Sequence, residues 1–477
     1  MTELRLDHKS DVLSGSIFIA PRQFAGMDIV TLPEVRQTRV RYLIIAILFA
    51  ISCFSFGDRV ALSLAGAAMG RDINLTPVRM GYLFSAFSWA YVLGQLPSGG
   101  LLDRFGSRRV YGTAIILWSI SAFLTGFAGY LTASAAFTVI FVLRLFSGFA
   151  QAPVFPGNGR IVASWFPTAE RGRASAIFNS SQYFALLIFA PIFGWIIHKY
   201  GWQSCFWFMG VLGFALGLIW FTNIYPVKEH PRISPAEITA IEHGGGLVNT
   251  DHGRVASSRG NTLTWATVKM LLSHRMLVGI YIGQYCITTL TWFFLTWFPV
   301  YLSQARHMSI LNVGFAAAVP GLCGGFGGIL GGVLSDKLLH SGQSLSFARK
   351  APIMAGMALS MTMIACNYAQ AQSIMLLFMS VSFFGKGVGA LGWTVVSDTS
   401  PKGMVGMNGA LFNFIGNIAG ITTPIIIGYL VQKTGSFNDV LIFVGLTALC
   451  AIVSYGPIVG EIKRLDLIAS LPAERAV

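Results

Sequence analysis

Charge is what this sequence is short of. Only 11% of its 477 residues are Asp, Glu, Lys or Arg, and 54% are hydrophobic. A soluble chain carries about 25% charged residues, so a water-soluble globular domain is excluded. Paired cysteine is missing too. Cys53, Cys205, Cys286, Cys323, Cys366 and Cys450 stand singly in apolar runs, with no CxxC and no His/Cys cluster. That excludes a disulfide framework and a zinc site, leaves small buried thiols, and gives no reason to expect a metal or cofactor. A secretory leader is not legible, because the apolar SGSIFIAP stretch is short and is followed by charges. The apolar pattern begins only near Tyr42, and Met27 is a second candidate start. Acidic residues are few, 19 against 33 basic, for a net charge of +14. Nucleic acid is still not the expected partner, because the basic residues are spread over short loops between apolar runs.

What is present is length and apolarity in the right unit. Stretches of about 18–25 apolar residues, enough to cross a bilayer as helix, recur at about 42–66, 80–102, 110–130, 135–158, 173–198, 204–224, 276–303, 309–335, 350–369, 373–397, 404–432 and 437–460. The predicted fold is an all-α membrane protein of twelve transmembrane helices in two six-helix halves. Its expected parts are a tail over 1–41, a first half over 42–224, a linker over 225–275, a second half over 276–460 and a tail over 461–477. The linker is rich in Gly, Ser, His and charge, and reads as flexible. With both termini on the cytoplasmic side, 25 of the 33 basic residues fall inside and 5 outside, a bias that sets the orientation. The high content of Gly (53) and Phe (37) suits helices packed closely in lipid.

Three basic residues fall within the spans, Arg59, Arg144 and Lys386, and one acid clearly does, Asp58. A charge at membrane depth costs roughly 2.5–3.5 kcal/mol even on lenient scales, so four of them argue for a task. An excess of cations argues for an anion supplied by the substrate, and hence for a carrier of small organic acids. Arg59 suits a carboxylate through its bidentate fork. Asp58 suits a proton, because a carboxyl in an apolar cavity can cycle between charged and neutral forms. A self-neutralising Asp58–Arg59 pair is the competing reading. Arg144 shares a helical face with Ser147, Gly148 and Gln151. It either serves an anion or makes a structural hydrogen bond to Gln151 or a backbone carbonyl. Lys386 lies between Gly385 and Gly387 in the middle of the tenth span. Snorkelling competes there with a role in binding the second carboxylate of a dianion while Arg59 holds the first. Polar residues recur at helical spacing around these charges: Tyr91 and Gln95; Asn179, Gln182 and Tyr183; Tyr281, Gln284, Tyr285, Thr288 and Trp292; Trp393; Asn413 and Asn417. Such donors and acceptors suit a hydroxyl-rich acid, and for each one interhelical glue is the alternative.

An internal repeat joins the halves. Gly99-Gly-Leu-Leu-Asp103-Arg104-Phe-Gly106-Ser-Arg108-Arg109 follows the second span, and Gly332-Val-Leu-Ser-Asp336-Lys337 follows the eighth. The first resembles the signature loop of the major facilitator superfamily, which implies a gating latch that holds one access state, and a binding site between the halves. Longer segments, including FGDRVALS, FPGNGRIVASWFP, IGQYCITTLTWFFLTWFPVYL and FFGKGVGALGWTVVSDTSP, look like the anion:cation symporter family, and most like its D-glucarate and galactarate permeases. The likeness covers about 40–465. It implies a transporter of the bacterial inner membrane, proton coupling at Asp58, a substrate carboxylate at Arg59, and substrate contact at Tyr91, Gln182, Trp393 and Asn413. Two departures stand out. Gln151 occupies a position where relatives usually carry a glutamate that takes part in proton coupling, and Ser55-Phe56 replaces their Asn-Tyr.

The expected activity is import of hexarate diacids by proton symport with alternating access, by a monomer whose partners are the organic anion, protons and the bilayer. Competing readings are an uncoupled or exchange carrier, a carrier of a monoacid such as galactonate or of phosphate esters, and a receptor that binds without transport. A membrane enzyme is disfavoured: no nucleophile with its base, no metal cluster and no acid pair is visible in the spans.

Overall fold

The computed structural model describes residues 38–248, 265–401 and 404–465. Those residues are helical, with no strand among them. Twelve stretches follow the predicted spans. The first half comprises α1 (Val40–Asp72), α2 (Pro77–Phe105), α3 (Ser107–Tyr130), α4 (Ala133–Trp165), α5 (Arg171–Tyr200) and α6 (Gln203–Asn223). The second comprises α7 (Arg275–Gln304), α8 (Ile310–His340), α9 (Leu345–Ser360, tightening to a 3-10 turn over Met361–Asn367), α10 (Gln372–Thr399), α11 (Val405–Thr434) and α12 (Asn438–Ile458). Ten of these are long and apolar enough to cross a membrane; α2 and α9 fall short of that mark and occupy the positions of the second and ninth predicted spans.

Most helices outrun the apolar runs that announced them. An apolar run marks the part that lipid or core must cover, whereas the helix continues until its backbone is capped. Thr76 caps α2 by accepting from the Arg79 N–H at 3.3 Å, with Pro77 at the first helical position. At the other end Gly106 sits at φ 79°, a left-handed conformation that glycine takes at little cost, and turns the chain into α3. Two spans expected to be continuous are interrupted. α4 breaks after Gln151 at Ala152-Pro153, and α10 breaks between Val388 and Gly392. α7 carries a π turn over Phe293–Trp297, a widening frequent at functional sites. Apolar content does not register such breaks.

The segment between the halves is not loose where it is described. A short helix, Pro235–His243, brings Glu237 into a fully buried position. There its carboxylate accepts from the Val40 and Arg41 N–H groups (3.0 and 3.2 Å) and from the Thr38 hydroxyl (2.7 Å), capping the start of α1. Residues 1–37, 249–264, 402–403 and 466–477 lie outside the described residues.

The halves meet through α2 against α11 and α5 against α8. Glycines at these seams leave room for backbone contact. A methyl on Gly81 would lie 2.5 Å from the Pro424 carbonyl oxygen, and one on Gly314 would lie 2.6 Å from that of Ala190. Side chains close the same end of the bundle. Ser63 donates to the Thr296 carbonyl at 2.7 Å, Val78 N–H to Gln432 at 3.4 Å, and the Phe84 and Trp297 rings meet edge to face at 5.4 Å. At the opposite end, which carries Asp103 and Asp336, Gly99, Gly100, Gly332 and Gly406 have open space where a side chain would stand. These cross-half contacts lie at the end away from Asp103 and Asp336.

Candidate substrate site

Adjacent residues of α1 enter different environments. Asp58 is 1% exposed and faces α4, where Arg144 (2% exposed) forks around it, Nη1 to Oδ2 at 2.8 Å and Nη2 to Oδ1 at 3.2 Å. Gln151 Nε2 donates to the same carboxylate at 3.3 Å and to Ser147 Oγ at 3.1 Å, while its Oε1 accepts from Ser55 Oγ at 2.7 Å. The spacing of Arg144, Ser147 and Gln151 on one face of α4 makes this possible. Gly148 completes the face: a side chain there would run into the Phe87 carbonyl of α2. The self-neutralising reading of Asp58 with Arg59 is therefore not met. Asp58 does not neutralise Arg59, and Arg144 does not stand open to an anion in this structure.

Arg59 is left over. It is 9% exposed, has no carboxylate partner among the described residues, and its Nε is buried without a hydrogen bond. Its guanidinium lies over the rings of Phe87 (4.4 Å), Phe56 (4.7 Å) and Tyr91 (5.7 Å). Aromatic faces tolerate a cation without neutralising it, so the charge is held and remains available.

Lys386 repeats the arrangement in the second half. It is 4% exposed, and its Nζ lies 5.3 Å from the Phe383 ring and 5.4 Å from that of Tyr183, which belongs to α5 of the first half. The flanking glycines have a packing reason. Gly385 presses against the Gly356 carbonyl of α9 and Gly387 against the Gly324 carbonyl of α8, so α10 wedges between two helices. The ammonium rests on aromatic rings at the interior, which rules out the snorkelling alternative in this structure.

The predicted polar lining is gathered only in part. Tyr91 stacks on Phe87 at 5.3 Å beside Arg59. Asn413 donates to Gln95 across the halves at 3.3 Å and accepts from Asn417 at 3.1 Å. Tyr285 pairs with Thr422 at 2.8 Å, which is glue within the second half. Gln182 donates to the Asn179 carbonyl of its own helix at 3.3 Å. Trp393, 55% exposed, meets Phe412 edge to face at 5.2 Å. Among the described residues no group of three His, Cys, Asp or Glu side chains is placed to hold a metal.

This arrangement, membrane-length helices in two halves with charges buried in the interior, agrees with the comparisons to known proteins. The Major Facilitator Superfamily model matches residues 47–424. The chain belongs to that superfamily. It is accordingly a membrane transporter and not an enzyme. It is 54% identical to a protein of Bacillus subtilis (strain 168) named "Probable galactarate/D-glucarate transporter", over 91% of this chain and 95% of that one. An Escherichia coli (strain K12) protein of the same name is 52% identical, over 91% and 96%. The D-galactonate transporter of E. coli O6:H1 is 38% identical, over 90% and 97%. Among solved structures, a D-xylose-proton symporter has a TM-score of 0.67 at 16% identity, covering 89% of this chain and 98% of that one. The inward open conformation of a xylose transporter from E. coli gives 0.66 at 15%, covering 88% and 97%. At such identities these structures speak for the superfamily fold alone.

The superfamily's loop signature has its partners within each half. Asp103, exposed, pairs with Arg160 near the end of α4. Arg108 donates to the Phe221 carbonyl at 2.7 Å and lies 4.0 Å over the Tyr225 ring, whereas Arg104 and Arg109 are exposed. In the second half Arg349 is the hub. It contacts Asp336 (3.3 Å), Asp398 (2.8 Å) and Ser335 (2.8 Å), while Lys337 is exposed. The sequence places Arg349 in the repeated loop of the second half, but Arg160 and Asp398 were missed as partners in these loop networks. Their signal was available, since both FPGNGR and VVSDTSP end a span on the same face. The aromatic seats at Phe56, Phe87, Phe383 and Tyr183 had no comparable signal.

Proposed function

We propose that the protein imports hexarate sugar diacids, D-glucarate or galactarate, by proton symport with alternating access. One observation carries the substrate class: two buried cations, Arg59 and Lys386, one in each half, rest on aromatic rings without a carboxylate partner among the described residues. With Asp58 and Arg144 neutralising each other, the site has two positive charges to spare and a hexarate brings two negative ones. The names carried by the most similar relatives point the same way.

Coupling follows from the ion pair. A proton on Asp58 removes the charge that holds Arg144 and frees a second guanidinium for the anion. Proton and substrate then favour each other's binding through one bond broken and one made. Orientation follows from the basic residues, which put the Asp103 and Asp336 end, and both termini, on the cytoplasmic side of a bacterial inner membrane. The contacts that join the halves at the other end fit an inward-facing state, and the carrier would work as a monomer. Tyr91, Gln182, Trp393 and Asn413 would contact the hydroxyl chain as the halves close, and the loop acids would exchange their partners as the cycle turns.

A second reading, exchange or downhill flux, has Gln151 in its favour. The glutamine that donates to Asp58 cannot itself carry a second proton. A dianion entering a negative-inside cell is opposed by about 2.3 kcal/mol per charge per 100 mV, and one proton offsets only half of that charge. D-glucarate uptake into proteoliposomes at clamped potential, with and without an inward proton gradient, separates these. Gradient-driven accumulation that Asp58→Asn abolishes supports symport. Accumulation independent of the gradient supports exchange, and absence of hexarate flux refutes the substrate assignment.

A further inference from the structure

The position of Lys386 implies more than a second positive charge. Its ammonium lies between two rings that belong to different halves, Phe383 three residues earlier on α10 and Tyr183 on α5. Tyr183 is itself wedged at the α5–α8 seam. A methyl on Gly324 would lie 3.1 Å from its ring, and one on Gly325 would lie 3.5 Å from it, while its hydroxyl approaches Gly328. The rings of Tyr183 and Phe383 meet at 6.3 Å, and Phe294 of α7 backs Phe383 at 4.2 Å. The glycines on each side of Lys386 fix α10 against α8 and α9, so the lysine stem leaves a rigid backbone, and the ring across the seam is the contact it can lose.

We infer that Lys386 selects diacids over monoacids, and that Tyr183 is the seat its ammonium leaves when the second carboxylate arrives. This rests on the hexarate reading above. A charged hydrogen bond to a carboxylate is stronger than a contact with an aromatic face, so a diacid draws the ammonium off the ring. An aldonate, with its single carboxylate held by Arg59, offers the lysine only hydroxyl groups and leaves it seated. The cross-half contact thus competes with the second carboxylate alone. Recognition of that carboxylate is thereby tied to loosening of one contact between the halves, and selectivity becomes part of the transport step.

Two variants test this. Purified protein in nanodiscs is titrated with D-glucarate, galactarate and D-galactonate by calorimetry, and uptake of each is measured in proteoliposomes. Lys386→Gln is expected to weaken binding of both hexarates at least tenfold while changing galactonate binding less than threefold; retained galactonate binding also reports a folded site. Tyr183→Leu removes the competing ring and is expected to strengthen hexarate binding several-fold with galactonate unchanged. Equal losses for diacids and monoacids in Lys386→Gln overturn the inference while leaving hexarate transport standing. Should that variant bind neither acid, Tyr183→Leu decides: equal effects on both classes overturn the inference, and a gain confined to hexarates upholds it. A native carrier that binds no hexarate overturns the proposed function and this inference with it.

Discussion

Breaking the Asp58–Arg144 pair gives two single variants of unequal cost and a double variant that recovers part of the loss. Both side chains are nearly fully buried and share two hydrogen bonds. Removing one partner of such a pair costs about 3–5 kcal/mol, because the other charge is left uncompensated. In Asp58→Asn the orphan is a guanidinium, which cannot shed its charge. The ring of Phe206, 5.5 Å from it, returns about 2 kcal/mol at most generous reckoning. In Arg144→Gln the orphan is a carboxyl, which keeps the Gln151 donor and can take up a proton. Asp58→Asn is therefore expected to be the more damaging, by 1 kcal/mol or more on the order of these terms, and the gap should widen as the pH is lowered. The double variant Asp58→Asn/Arg144→Gln removes both charges and should recover at least about 2 kcal/mol relative to the sum of the single losses. The chain's 11 tryptophans provide an intrinsic fluorescence signal for unfolding in detergent across the four proteins. Losses that add within about 0.5 kcal/mol would refute the claim that these two charges hold each other.

Three further outcomes are expected. Gln151→Glu places a second carboxylate beside Asp58, where two charges about 3.3 Å apart repel by roughly 5 kcal/mol at an effective dielectric of 20; one of them binds a proton instead, and reversal-potential measurements should show more protons moved per hexarate than in the native carrier. Gly148→Val drives a side chain into the Phe87 carbonyl and should reduce both stability and D-glucarate uptake severely, whereas valine at Gly99, where space is open, should leave stability within about 0.5 kcal/mol. His230, in the segment that follows α6, is pushed below the usual 6.5 by burial, with its ring against Trp165 and Tyr225 and with Arg232 and Glu237 acting on it in opposite directions. The folded segment favours neutral His230, so its stability is full above about pH 6.5 and falls as the unfolded form takes up a proton below it; hydrogen-exchange protection over 225–248, measured against the intrinsic exchange rate at each pH, should fall between pH 7.5 and 5.5, and His230→Gln should remove that dependence.

The sequence of this chain was most informative about burial in lipid and least informative about partners. Twelve spans were legible because each must keep about 30 Å of apolar surface in the bilayer, and Arg59, Arg144, Lys386 and Asp58 stood out because charge there is costly. The breaks in α4 and α10 were not legible. Each depends on where neighbouring helices take up the freed backbone groups, and Pro191 in α5 and Pro424 in α11 lie within unbroken helices. Composition reads the linker over 225–275 as flexible and treats Glu237 as solvent-exposed, whereas that carboxylate is buried against the start of α1.

The sequence by itself determined that the chain crosses a membrane as helices in two related halves, and that its interior holds more positive than negative charge. Both follow from the cost of burying polar groups, which each residue carries wherever it folds. Tertiary structure decided which charges cancel. Asp58 and Arg59 are neighbours in sequence, yet helical rotation sends them to different faces, so Asp58 meets Arg144 from α4 while Arg59 meets the rings of Phe56, Phe87 and Tyr91. Lys386 likewise gained its seat from Tyr183, 203 positions away and in the other half, because α5 and α8 pack closely enough at glycines to bring that ring across the seam. Charge is a property of a residue, but neutralisation is a property of a distance, and only the folded chain sets distances between helices.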